Sequence, residues 1–198
     1  DLLKQFKDDI DVKKDVELLV SQIDRCSEIL KKLTLNPTVE DNFIDSNLTL
    51  SKYIDEIFKS FQEISKKEFI VNYDQNSNPL RFNKSKEVIY GLRTFIGNAN
   101  KFSRKKVFIT LKTNSEFSEI MIEDDGDGYP KDVLSKIGEP YVKSLKSSIK
   151  SKSGLGLRMF IGKTLLEKNH ASILCKNSET RTGAEVNIKW KNQDLLKL

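Results

Sequence analysis

Three short segments carry side chains whose types and spacing suit a phosphorylated ligand. In the first, KSKEVIYGLRTFIGNANKFS at 84–103, Thr94, Asn98 and Lys101 recur at spacings of four and three, which stacks them on one side of a helix. Asn98 offers a neutral oxygen to a hard cation and Lys101 a compact positive charge to phosphate, although an ordinary solvated helix face shows the same pattern. The second, EDDGDGYP at 123–130, follows an apolar strand pattern that ends at Asp124. Gly126 and Gly128 permit positive φ and close backbone approach. Three readings of this segment stand side by side: a tight Asp-Gly turn, a calcium loop, or a buried carboxylate that accepts the exocyclic amine of adenine. The calcium loop fails on spacing, because Lys136 stands where its terminal carboxylate belongs if Asp125 is the first ligand. In the third segment, SKSGLGLRMFIGKTLLEK at 151–168, Gly154, Leu155, Gly156 and Leu157 open a helical pattern. Free N–H groups and the helix dipole there favour an anion. The spacing fits neither a Walker loop nor a GxGxxG fingerprint at a first βα turn.

The elements that must position these residues are mixed. Val12, Val16, Leu19, Ile23, Cys26, Leu30 and Leu33 form a heptad stripe that asks for partner helices. Leu2, Leu3 and Phe6 read as the end of a preceding helix, with 7–11 as the turn, and Asn36-Pro37 ends the long helix. Residues 37–47 read as a linker. From 48 onward the spacing predicts an amphipathic helix over 48–67, with Leu50, Tyr53, Ile54, Ile57, Phe58 and Phe61 on one face. It then predicts a strand at 69–73, a turn at 76–79, a helix at 84–102 and a hairpin of strands 107–113 and 117–124. A short helix near 131–137, a Lys/Ser loop, an amphipathic helix at 155–168 and strands at 171–177 and 184–190 follow. The 84–102 helix places Val88, Ile89, Leu92, Phe95, Ile96, Ala99 and Phe102 on its apolar side. This order is that of an α+β fold, a two-layer sandwich with helices on one face of a sheet.

Composition limits the function classes. The chain has 198 residues, 37% hydrophobic and 32% charged, as expected of a folded protein with one ordinary core and something added. It has no apolar run of about 18 residues for a membrane span and no apolar signal core near its start. Two cysteines make neither a disulfide framework nor a zinc site, and the single histidine, His170, excludes sites needing two imidazoles. The net charge of +5 is mild and lacks the basic stripe with exposed aromatics of a nucleic-acid binder, so no nucleic-acid partner is expected. The densest basic stretch, KSLKSSIKSK at 143–152, reads as a solvated loop or as a lid that meets phosphates.

Taken in order, Asn-x-x-Lys on a helix, Asp-x-Gly-x-Gly after a strand and Ser-Gly-Leu-Gly-Leu opening a helix resemble the N, G1 and G2 boxes of the GHKL ATPase/kinase superfamily. The chain resembles the catalytic region of bacterial sensor histidine kinases. GEPYVKS at 138–144, GLGLRMFIGKTLLEK at 154–168 and SQIDRCSEILKKL at 21–33 resemble more narrowly the RegB/PrrB redox-responsive type. The resemblance implies a Bergerat-type ATP-binding domain over 48–198, preceded at 1–36 by a remnant of the dimerisation helices. It implies ATP and Mg²⁺ as cofactors, with Asn98 ligating Mg²⁺ and Lys101 contacting phosphate. Phe102 would lie against adenine, Asp124 would take its amine, and Gly126 and Gly128 would shape the base pocket. Gly154 and Gly156, with Leu155 and Leu157, would let the helix N-terminus reach the phosphates, and 138–153 would be the lid.

The same resemblance implies a homodimer, a response regulator as partner, and a place on the cytoplasmic side of the inner membrane through a sensory segment outside this chain. The phosphoacceptor histidine of such kinases precedes the helix that holds Cys26, so this chain alone is expected not to autophosphorylate, with His170 an ordinary turn residue. Departures from the family pattern are Thr94 in place of a second Asn, Asp125 in place of Asn, and Lys152 in place of Gly. Hydrolytic relatives place a Glu at the Thr94 position to activate water. Thr cannot be that base, which favours a kinase over an ATPase. Cys26 reads either as a small apolar residue filling the helix seam or, by the RegB-type resemblance, as a redox-active thiol.

Overall fold

The computed structural model describes residue 20 and residues 47–62, 65–74, 80–83, 85–140, 142 and 157–196. The chain divides into two compact units, Asp1–Asn42 and Phe43–Leu198. The heptad stripe with Cys26, the turn expected at 76–79, most of the expected lid and Gly154, Leu155 and Gly156 lie outside the described residues.

In the second unit a short strand β1 (Asn47–Thr49) leads into helix α1 (Leu50–Gln62), followed by β2 (Glu68–Tyr73), β3 (Arg81–Asn83) and the long helix α2 (Lys86–Phe102). The hairpin strands β4 (Lys106–Thr113) and β5 (Phe117–Asp124) come next, then the one-turn helix α3 (Lys131–Leu134) and helix α4 (Leu157–Lys168). Strands β6 (Ser172–Asn177) and β7 (Ala184–Lys191) and a final turn of helix α5 (Asn192–Leu195) complete it. Five strands form one sheet in the order β2-β4-β5-β7-β6, and β1 pairs with β3 in a separate ribbon. β2 runs parallel to β4 and every other neighbour is antiparallel. The parallel pair needs a crossover, which α2 supplies between its strands.

The sheet has one buried face, and strand alternation sets it. Val107, Ile109 and Leu111 stand beside Asp124, Ile122 and Ile120, and Ile122 and Ile120 stand beside Val186 and Ile188. The apolar side chains among these form one core with Leu50, Tyr53, Ile54 and Ile57 of α1, Val88, Leu92, Phe95 and Ile96 of α2, and Leu166 of α4. The two-layer α+β architecture expected from the residue pattern is therefore the one observed.

Several details depart from expectation. The helix expected from 48 starts at Leu50, because 47–49 are drawn into register with 81–83. Strand β3 and helix α5 have no counterpart in the sequence pattern, and the short helix near 131–137 stops at Leu134. Phe102 leaves the apolar face assigned to it and is 62% exposed, because it sits in the last turn of α2, beyond the core. Helix α4 buries only Gly162 and Leu166, so it is not amphipathic in the usual sense.

Helix ends tie the layers together. Ser85 caps α2 by accepting the Val88 N–H, and its own N–H donates to the Tyr53 hydroxyl of α1 at 3.0 Å. At the end of α4, His170 has φ +64; its N–H donates to Glu167 O and the Ala171 N–H to Leu166 O, both at 2.9 Å, the two bonds of a Schellman cap. The Asn169 carbonyl there accepts the indole N–H of fully buried Trp190 at 3.1 Å. A side chain in the left-handed region is strained, and His170 is exposed. His170→Gly is therefore expected to raise stability by about 1 kcal/mol, read as a higher urea midpoint with unchanged slope.

Candidate functional site

The end of β5 brings a carboxylate, three backbone segments and two glycines together. Asp124 stands on the core side of the sheet and is 3% exposed. Its Oδ1 accepts the Gly126 N–H at 2.8 Å and the Ala184 N–H at 3.3 Å, so both bonds converge on one oxygen. Burial pushes the Asp124 carboxyl up, against the lowering effect of those two N–H groups. Space around it is reserved by absent side chains. A β-carbon at Gly126 would run into the Phe102 carbonyl and come within 2.8 Å of Asp124 Oδ1, and one at Gly183 would collide with both the backbone and the carboxylate of Asp124.

The neighbouring Asp125 does a different task. Its carboxylate accepts the N–H groups of Arg104 at 2.7 Å and Lys105 at 3.0 Å, which fixes the chain just past α2 against the 124–126 turn. Burial alone would raise this carboxyl, but the backbone N–H groups of Lys105, Lys106 and Arg104 outweigh it and hold it below its ordinary range. On the far side of the loop, Gly128 has φ +73. The Asn177 side chain at the end of β6 accepts the Tyr129 N–H at 2.6 Å and donates to the Tyr129 carbonyl at 3.1 Å. The glycine loop is thus clipped to both α2 and β6.

Helices α2 and α4 meet through small residues. Leu166 fills the space above Gly91, and a β-carbon at Gly162 would lie 2.9 Å from Thr94 Cβ. As the contact moves forward along α2 it moves back along α4, so the helices are antiparallel. One turn further, the register brings Asn98 level with the start of α4, where Leu157 stands. Thr94 accordingly faces α4 rather than belonging to a solvated polar stripe with Lys101. Asn98 Nδ2 is buried and has no hydrogen-bond partner. Lys101 is exposed, its ammonium 5.0 Å from the centre of the Phe102 ring.

Of the residues singled out in the sequence, the structure gathers Asp124, Gly126 and the Phe102 backbone at one point, puts Gly128 on the adjoining loop and sets Asn98 and Lys101 on the helix alongside. Gly154, Leu155, Gly156 and Cys26 lie outside the described residues. Gly183, Ala184 and Asn177 also border this point, and the Thr-Gly pair in ETRTG is the local sequence signal for the first two. Cys175, the other cysteine, is half-buried beside Tyr129, and burial pushes its thiol up to about 11. Among the described residues no His/Cys/Asp/Glu group is arranged to hold a metal by itself, and no helix is long and apolar enough to cross a membrane.

The profile of the family described as histidine kinase-, DNA gyrase B- and HSP90-like ATPase matches residues 84–194, more than half of the chain, and the chain belongs to that family. It is 29% identical to the sensor histidine kinase RegB of Cereibacter sphaeroides, over 96% of this chain and 45% of RegB. The chain thus spans less than half the length of that relative. Its fold is similar to the catalytic domain of histidine kinase ThkA, with a TM-score of 0.61 at 18% identity, covering 75% of this chain and 97% of that one. Full-length ShkA, solved in complex with AMPPNP, aligns with a TM-score of 0.59 at 18% identity over 73% of this chain and 31% of that one. The fold is that of histidine kinase catalytic domains, the GHKL fold.

Burial of Asp124 has a measurable consequence for the unliganded protein. A folded-state carboxyl raised above its unfolded value holds its proton more tightly than the unfolded chain does. Stability therefore falls as pH rises from the ordinary carboxylate range through the raised value. Asp124→Asn keeps an oxygen for the Gly126 and Ala184 N–H groups and removes the buried charge. Its melting temperature is expected to exceed that of the parent at pH 7, with the gap closing as pH is lowered into the ordinary carboxylate range. Thermal denaturation of both proteins across that range is the check.

Proposed function

We propose that this chain binds MgATP at the Asp124 site and serves as the catalytic part of a two-component sensor histidine kinase. In that reading the γ-phosphoryl passes to a histidine on a dimerisation helix, then to an Asp of a response regulator, within a homodimer. The observation that carries it is the buried Asp124 carboxylate, with its backbone bonds gathered on Oδ1 and glycines on either side. Oδ2 is left as the acceptor for an incoming amine, as adenine would present. Membership of the family and the AMPPNP complex of ShkA point the same way.

The residues present fit the rest of the ligand. Asn98 has a buried amide nitrogen without a partner, a group that costs stability unless a ligand completes its surroundings. It is the candidate to hold Mg²⁺ through its amide oxygen, and Lys101 is the candidate phosphate contact. Mg²⁺, when bound, neutralises charge on the phosphates. Phe102, exposed and backed by Lys101, offers its ring as a wall for the base. Leu157 is the first described residue of α4, and a helix N-terminus there is the candidate donor of N–H groups to phosphate. Phosphoryl transfer asks the protein mainly for positioning and charge stabilisation, so no nucleophile of its own is required in this domain.

A hydrolase of the same family is the rival reading, as is a non-catalytic nucleotide-binding or dimerisation module. Thr94 weighs against hydrolysis twice: it is no general base, and it is packed against Gly162. Titration with a fluorescent ATP analogue is the test. The chain is expected to bind the analogue more tightly with Mg²⁺ than with EDTA, and Asn98→Ala is expected to abolish most of that difference. Asp124→Asn is expected to weaken binding by about 1–3 kcal/mol, because an amide can present an N–H where an acceptor is needed. Unchanged affinity in Asp124→Asn removes Asp124 from the site, and sustained phosphate release by the chain favours the hydrolase.

A further inference from the structure

We infer that Glu123 is a positioning residue for the nucleotide base, holding the β6–β7 turn against Asp124 from the opposite face of the sheet. The inference rests on the nucleotide reading above. Successive residues of a strand point to opposite faces, so Asp124 enters the core side while Glu123 lies on the outer side. Both grip the same turn. Glu123 is 3% exposed; its Oε1 accepts from Ser178 Oγ at 2.7 Å and Thr180 Oγ1 at 3.4 Å, and its Oε2 accepts from Arg181 Nε at 3.2 Å.

The turn is closed on itself by the Ser178 N–H donating to Gly183 O at 2.9 Å and the Arg181 N–H to Ser178 Oγ at 3.1 Å. Arg181 is further fixed by lying over the Phe108 ring, 3.5 Å from its centre, and Phe108 is Glu123's neighbour on β4. Through these bonds Glu123 sets the height of Gly183 and of the Ala184 N–H, the two groups that border Asp124. The carboxylate stands in register with another, Glu185, whose charge is met by Lys176 at 3.6 Å. A buried ion pair beside a like charge is a poor source of net stability. What it fixes well is geometry, and here the geometry is that of the turn beside Asp124.

The discriminating experiment compares ATP and GTP binding by the 198-residue chain, since guanine presents a carbonyl where adenine presents an amine to the carboxylate. Glu123→Gln keeps the shape and an acceptor for Ser178 but turns an N–H donor toward Arg181 Nε. Ser178→Ala removes one hydrogen bond and is the second variant, in case the first fails to fold. A cooperative melt establishes that each variant is folded. Folded Glu123→Gln is expected to bind ATP about fivefold more weakly, with the ATP:GTP preference shrinking by a similar factor. Ser178→Ala is expected to move both about twofold in the same direction. A folded variant with the parent's affinity and preference overturns the inference, as does equal weakening of ATP and GTP. Both results leave the nucleotide reading standing. A parent chain that does not prefer ATP defeats that reading and this inference with it.

Discussion

Burying a carboxylate at the end of a strand is costly, and much of the local architecture offsets that cost at Asp124. Two N–H groups from different parts of the chain converge on one of its oxygens, and two positions beside it tolerate no β-carbon. Those demands reach outward. Gly126 must pass beneath the Phe102 carbonyl, so the end of α2 must lie at a fixed height; Asp125 fixes it by capping Arg104 and Lys105. Gly183 must sit on Asp124, so β7 must begin in one register beside β5.

The second constraint is the reciprocal fit of α2 and α4. Leu166 enters above Gly91, and Thr94 enters above Gly162, so each helix supplies one protrusion and one gap. This replaces the broad apolar stripe that usually docks a surface helix, and explains how α4 is placed while burying only two residues. Any shift along α4 must therefore break both contacts together.

Much of this architecture was legible in the residue pattern, and the exceptions share a cause. Helix α2 and strands β4, β5 and β7 each carry enough apolar repeats to reveal their period, and Asp124 stands out as an acid that ends an apolar strand before two glycines. Strands β1 and β3, three residues each, exist only because they pair with one another across more than thirty residues of chain, and no local period announces them. Phe102 escapes the pattern because helical spacing says which side a residue faces but not where the core ends. Thr94 escapes it too, because a polar residue opposite a glycine is an interior contact that only the second helix reveals. Glu123, Asn177 and Gly183 are ordinary residues of a strand and a turn until sheet register carries the β6–β7 turn to the end of β5.

The lone tryptophan gives the protein a built-in optical reporter of a particular kind. Trp190 is wholly enclosed, and its indole N–H is held by the carbonyl that ends α4. Its emission therefore originates in a dry, fixed environment and shifts to the red when the seam between that helix and the sheet opens. The ring lies on β7 toward the end of the strand opposite Ala184, so a ligand seated beside Asp124 leaves its surroundings intact. Intrinsic fluorescence in this protein follows the integrity of the fold, and occupancy of the site calls for an extrinsic dye.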